Sequence, residues 1–263
     1  MNPSYVSASE ASAIFNVTAE SLAGHCGVLD DGQADLPDEQ KSFRLKRQLG
    51  ILQRTPFPKQ QKIHAELAAK HLPALVKAFR ENDGALNSSA SMVNVLTASA
   101  YFVRFSRMPE SAGIVGLQAH RMATDPNVSS YSVDDIGEIT QFLSTLFVLM
   151  GTFEVTDDDK KALLPRLKSW SRTYRGRLAS EASDRCLGIL TNDATMRGMC
   201  QEVKTMLELP LVACGASGCS RRVDDNGPEL LKCARCKVAV YCGAAHQKAG
   251  WQTHKATCFP SSF

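Results

Sequence analysis

The sequence predicts a mainly α fold: a long helical scaffold (1–209) followed by a small, cysteine-rich module (210–263). Three observations predict it. From Ser7 to Leu209, apolar residues recur at helical spacing, punctuated by proline and glycine. Strand-like alternation is confined to the end of the chain. There, eight potential metal ligands, Cys214, Cys219, Cys233, Cys236, Cys242, His246, His254 and Cys258, fall within 45 residues.

Length and composition set the outer bounds. A chain of 263 residues, 44% hydrophobic, holds one large domain and a small one. A net charge of +3 is too modest to mark a nucleic-acid binder. No apolar run reaches the roughly 20 residues of a membrane helix. The nearest, 142–153, contains Ser144, Thr145, Gly151 and Thr152. Met1-Asn2-Pro3-Ser4-Tyr5 lacks the basic-then-apolar order of a signal peptide, so a cytoplasmic or nuclear protein with reduced thiols is expected.

Taken in order, an amphipathic segment runs from about Ser9 to His25, and an acidic linker, Asp30 to Asp35, follows. Pro37-Asp38-Glu39 opens a second helix. Its acidic start and later basic residues, Lys41, Arg44, Lys46, Arg47 and Arg54, suit the helix dipole, and the basic run reads as a solvated face. Pro56 and Pro58 precede helices expected over 60–72 and 73–81. A longer one is expected over 89–105, and another over 109–122, ending at the turn residues Asp125-Pro126-Asn127. Residues 133–150 carry Ile136, Ile139, Phe142, Leu143, Leu146, Phe147 and Leu149, the expected buried centre. Thr156-x2-Asp159 has the N-cap pattern of the next helix.

An internal similarity at an offset of 92 residues relates these helices. Leu72-Pro73-Ala74-Leu75 recurs as Leu164-Pro165-Arg166-Leu167, and Gly84, Leu86, Ser88, Ala90 and Ser91 match Gly176, Leu178, Ser180, Ala182 and Ser183. The pattern describes a helix, a glycine turn and a second helix, twice. Stacked hairpins of this size resemble armadillo or HEAT repeats, whose neighbours bury one another's apolar faces; a compact irregular bundle is the alternative.

Structural zinc takes four Cys or His ligands in a closed tetrahedron, so eight ligands serve two ions. Cys233-x2-Cys236 is a knuckle that converges two thiolates, and Cys214-x4-Cys219 is a looser pair. Cys242 and His246, like His254 and Cys258, stand four apart, on one face of a helix. Trp251 falls on the side of His254 and can cover the metal. The scattered Cys26, Cys186 and Cys200 read as ordinary buried or half-buried thiols.

The series Cys233-x2-Cys236-x5-Cys242-x3-His246-Gln247-x3-Trp251-x2-His254-x3-Cys258, with Tyr241 before Cys242, resembles the MYND-type zinc finger. It departs from the family in having His246 where cysteine is usual, a wide first pair, and a long gap from Cys219 to Cys233. The resemblance implies interleaved sites: Cys214, Cys219, Cys242 and His246 on one zinc, Cys233, Cys236, His254 and Cys258 on the other. It also implies docking of short proline-containing peptides beside the strand 237–241, with contacts from Gln247, Trp251 and Val240. A serine that some members use is Ala234 here.

The implied function is a non-catalytic, zinc-binding protein-protein interaction protein, with a second protein partner on the helical domain. Two further readings stay open. Certain fungal ubiquitin-ligase adaptors join armadillo-type helices to a C-terminal finger. A transcriptional regulator or DNA-associated corepressor is the other, although the finger's seven basic and three acidic residues, offset by two zinc sites of charge −1, leave only about +2. Methyltransferases that carry this finger insert it within a SET domain, whose motifs are not found here. No nucleophile elbow or phosphate loop occurs, and His64, His71 and His120 lack an acid or thiol partner at motif spacing.

Overall fold

The computed structural model describes residues 16–29, 35–223 and 229–263. Among them are eleven α-helices and one two-stranded sheet. None of these helices is long and apolar enough to cross a membrane.

The first described helix, α1 (Ala19–His25), begins at a reciprocal capping box between Thr18 and Ser21. Of the segment expected from Ser9, residues 9–15 lie outside the described residues and 16–18 are not helical. Most of the expected acidic linker, 30–34, is likewise outside them. Helix α2 (Asp38–Leu52) starts at the expected acidic residues. Its basic run is not wholly a solvated face, however: Lys41 is buried, and Lys46 pairs with Asp135 at 2.9 Å.

The two helices expected either side of Pro73 are one, α3 (Phe57–Glu81). Proline removes the N–H that would bond the carbonyl four residues back, here Ala69. That carbonyl instead accepts the N–H of Ser262, at 2.9 Å, from the far end of the chain. Conversely, the single helix expected over 89–105 is two, α4 (Ser88–Leu96) and α5 (Ala100–Phe105). The break falls at Ser99, whose extended backbone and hydroxyl cap the N–H groups of Tyr101 and Phe102.

Over 109–122 a short 3-10 turn (Pro109–Ser111) leads to α6 (Ile114–Thr124), which starts after Gly113 at φ +83°. Helix α7 (Val133–Met150) has the expected bounds and buries all seven of its expected core residues. It packs on α4 and α6, and its Phe142 ring meets Phe79 of α3 edge-on at 5.7 Å. Helix α8 (Asp157–Thr173) starts at the Thr156 cap, and α9 (Leu178–Leu190) lies against both α7 and α8.

The two copies of the internal similarity share local structure. Pro73 and Pro165 both lie inside helices, and Gly84 and Gly176 both adopt positive φ, +80° and +77°, before α4 and α9. Helix α10 (Ala194–Val212) touches α5, α7 and α9 but fully buries no residue. It runs through Pro210, so the expected boundary between scaffold and finger, 209/210, falls inside its last turn. The finger therefore leaves the scaffold directly from a helix end.

Candidate metal centre

The finger's sheet is minimal: β1 (Leu231–Lys232) pairs antiparallel with β2 (Val240–Tyr241), and Cys214 bridges Val240 from the other side. A final helix, α11 (Ala244–His254), lies on β2. Its approach depends on Gly250, where a Cβ would stand 2.7 Å from the Gly215 carbonyl oxygen and 3.0 Å from Tyr241 Cε1. Tyr241 is 1% exposed and fills the space that two glycines leave.

This frame gathers the eight Cys and His side chains into two groups. Cys214, Cys219, Cys242 and His246 bring their ligand atoms within 4.8 Å of one another, and so do Cys233, Cys236, His254 and Cys258. In the first group, Cys214 Sγ lies 3.4 Å from His246 Nδ1 and Cys219 Sγ 3.6 Å from Cys242 Sγ. In the second, Cys233 Sγ is 3.8 Å from Cys258 Sγ, and Cys236 Sγ is 3.5 Å from His254 Nε2. These distances are too long for a disulfide. A zinc tetrahedron with Zn–S of about 2.3 Å and Zn–N of about 2.0 Å has edges of roughly 3.8 and 3.5 Å, which the two groups match.

Elements position each ligand for a physical reason. Cys214 and Cys219 flank the turn that follows α10, and Gly218 there takes φ +77°. The Cys233–Cys236 knuckle closes through Lys237, which adopts φ +58° and donates its N–H to the Cys233 carbonyl at 2.8 Å. Cys242 leaves β2, His246 sits in the first turn of α11, and His254 is that helix's last residue. Because the groups alternate along the chain, neither closes without the segments that build the other.

The electrostatics call for a cation. Burial opposes the Cys214 thiolate, yet the N–H groups of Ala216 and Cys242 and the His246 ring bring its pKa down to about 6. Desolvation, then the neighbouring thiols of Cys219 and Cys214, push Cys242 up to about 11. Burial and the charges of Cys236 and Cys233 push Cys258 up to about 12. Burial lowers His254, favouring the neutral imidazole that a metal requires. Several thiols this close cannot all ionise alone, and a divalent cation removes their repulsion. Each group is able to bind a zinc ion, and together they fit two structural zincs.

Of the expected peptide contacts, Gln247 and Trp251 line a shallow depression of about 260 Å3 together with Ala244 and Lys248. Trp251 is 37% exposed and sets its ring edge-on to His254 at 5.9 Å. Val240 differs: it is 2% exposed, pairs with Lys232 and accepts the Gly215 N–H at 2.9 Å. Only 240–241 of the expected strand 237–241 are strand.

Elsewhere, His120 is not without an acid, since the Nδ1 of its exposed ring lies 3.0 Å from the buried carboxylate of Asp159. Cys26 and Cys186 are buried thiols pushed upward by desolvation, and Cys200 is half-buried. Sequence reasoning missed Gly215, Gly250 and Lys237. The two glycines carry no signal apart from their place in the finger, and nothing local marks a lysine for positive φ.

No curated protein and no solved structure shows significant similarity to the chain. Residues 212–258 match the family model of the MYND finger. With both Cys/His groups inside that span, the C-terminal part of the chain is a MYND finger, a zinc-binding, non-catalytic protein-interaction domain.

Proposed function

We propose that the chain is a protein-interaction adaptor: a helical scaffold, residues 1–209, which presents a rigid two-zinc finger, residues 210–263. Cys214, Cys219, Cys242 and His246 hold one ion, and Cys233, Cys236, His254 and Cys258 hold the other. The finger docks proline-containing segments of other proteins over Gln247 and Trp251.

The observation that carries this reading is the exposed Trp251 edge beside Gln247 in an open depression. A proline ring packs on the indole, and the Gln247 amide bonds a peptide carbonyl. Both edges of Val240 are already bonded, so side chains rather than strand addition hold the guest. The test is fluorescence titration of the zinc-loaded full chain with proline-rich peptides, after native mass spectrometry has counted its metals. Two zincs, with binding that Trp251→Ala weakens at least tenfold, support the reading. Undiminished binding by Trp251→Ala refutes the docking face, and a single zinc refutes the ligand set.

A ligase-type adaptor with a second partner on the scaffold is favoured by α10, which exposes Met199, Val203 and Met206 along one side. Loss of co-purifying ligase components on Met199→Glu, with peptide docking intact, supports it. The armadillo or HEAT reading of the scaffold rests on the two matching helix, glycine turn, helix units.

A further inference from the structure

The residues just beyond the last cysteine do not hang from the finger; they lie across the scaffold. The Tyr101 hydroxyl accepts the N–H of Phe259 at 2.8 Å and stands 3.0 Å from the carbonyl oxygens of both Thr257 and Phe259. Tyr101 is itself 3% exposed. One scaffold side chain thus grips the chain on either side of Cys258. Arg104, one turn along α5, reaches Ser261 Oγ at 3.2 Å and the Phe263 oxygen at 2.8 Å, with its guanidinium over the Phe263 ring. That ring also meets Phe105 edge-on at 5.3 Å. Ser262 donates its N–H to the Ala69 carbonyl that Pro73 leaves open.

We propose that the tail 259–263 is a zinc-dependent latch. Its inner end is the second metal group, through Cys258, and its outer end supplies, through Ser262, the hydrogen bond that Pro73 leaves out of α3. Occupancy of the second site fixes the backbone at Thr257 and Phe259 where Tyr101 takes hold. When that site empties, the tail loses its inner anchor, leaves α5 and bares the Ala69 carbonyl. The first site acts on the tail only at second hand, because Cys214, Cys219, Cys242 and His246 all precede it, join the scaffold through α10 and reach the tail only through the segments the two groups share. Coupling of this kind is reciprocal, so the latch also holds the ion.

The proposal rests on the ligand assignment above, and its test separates the two. Hydrogen exchange of the tail amides is followed in the zinc-loaded full chain, in Cys236→Ser and in Cys219→Ser. Exchange of 259–263 is expected to rise at least tenfold in Cys236→Ser and by several-fold less in Cys219→Ser, whose lost ligand reaches the tail only through the shared segments. Equal release in both overturns the latch, since the tail then follows the finger as a whole. The isosteric Tyr101→Phe keeps the tail reachable where a ligand variant fails to fold. It is expected to retain two zincs and to release one of them to a chelator about tenfold faster, the cost of the hydroxyl's hydrogen bonds. Two zincs with wild-type release of both overturn the latch and leave the ligand assignment intact. A wild-type count other than two overturns the assignment instead.

Discussion

Replacing Gly250 with alanine puts one methyl group where the finger has no room for it. The added Cβ would stand 2.7 Å from the Gly215 carbonyl oxygen and 3.0 Å from Tyr241 Cε1. Carbon contacts relax at about 3.5–4.0 Å, so α11 must retreat from β2 by roughly 0.5 Å or more. Neither obstacle moves aside cheaply: one is backbone, and the other is a ring that is 1% exposed. Overpacking of this kind costs about 1–3 kcal/mol, against a gain of about 1 kcal/mol from alanine's higher helix propensity.

The displacement also reaches the metals. His246 and His254 lie on α11 either side of position 250, and ligand distances tolerate only about 0.2 Å. Gly250→Ala is therefore expected to weaken zinc binding about tenfold, equivalent to roughly 1.4 kcal/mol, as measured by competition with a chromophoric chelator. Gly198, in the exposed face of α10 with nothing within 4 Å of its Cβ position, is the control. There the same substitution is expected to stabilise by about 1 kcal/mol. Zinc affinity unchanged or tighter in Gly250→Ala refutes the close-approach reasoning.

Two further predictions concern the scaffold. Arg121 is nearly buried, stacks over Phe79 and donates to the carbonyls of Phe79, Arg80 and Asn82, so it closes the C-terminal end of α3. Arg121→Ala is expected to destabilise the scaffold by about 2–3 kcal/mol in urea unfolding, with Arg121→Lys recovering only part because ammonium lacks the fork. Asp125 is held below the ordinary carboxylate range: burial opposes its charge, but Tyr131 and the N–H groups of Asn127 and Ala85 outweigh it. Because its folded value is depressed, its stabilisation is full above the unfolded carboxylate pKa and fades as pH falls through the folded one. Asp125→Asn is expected to lower stability at pH 7 and to converge with wild type at strongly acid pH; a constant difference across that range refutes the linkage.

What the sequence disclosed and what it hid divide along the range of the forces involved. Core positions of α7 and the caps of α8 were legible because periodicity and Thr156 act within a turn or two. The gathering of eight Cys and His side chains into two groups of four was legible from paired spacing together with the MYND resemblance. The breaks were misjudged for opposite reasons. Pro73 should interrupt α3 by every local rule, but the carbonyl it strands is satisfied by Ser262, 193 positions later in the numbering. Ser99 ends an apolar run that keeps its helical period, because a hydroxyl capping two N–H groups competes with continuing the helix. The Asp159 partner of His120 likewise comes from a different helix.

The finger's dependence on metal follows from how little else it has. Its sheet is two residues by two, and the helix laid on it fully buries only a glycine. A module this small cannot assemble a sufficient apolar core, so the order of ligands along the chain must do the folding. With the sites alternating, closing either one draws together segments that belong to both, and the Gly215, Tyr241 and Gly250 contact is packed as a consequence. The scaffold enters at two fixed points, α10 before the first ligand and Tyr101 around the last. A finger tethered at both ends keeps Trp251 in one orientation relative to α10. That geometry suits an adaptor, whose two faces must hold their partners at a set distance.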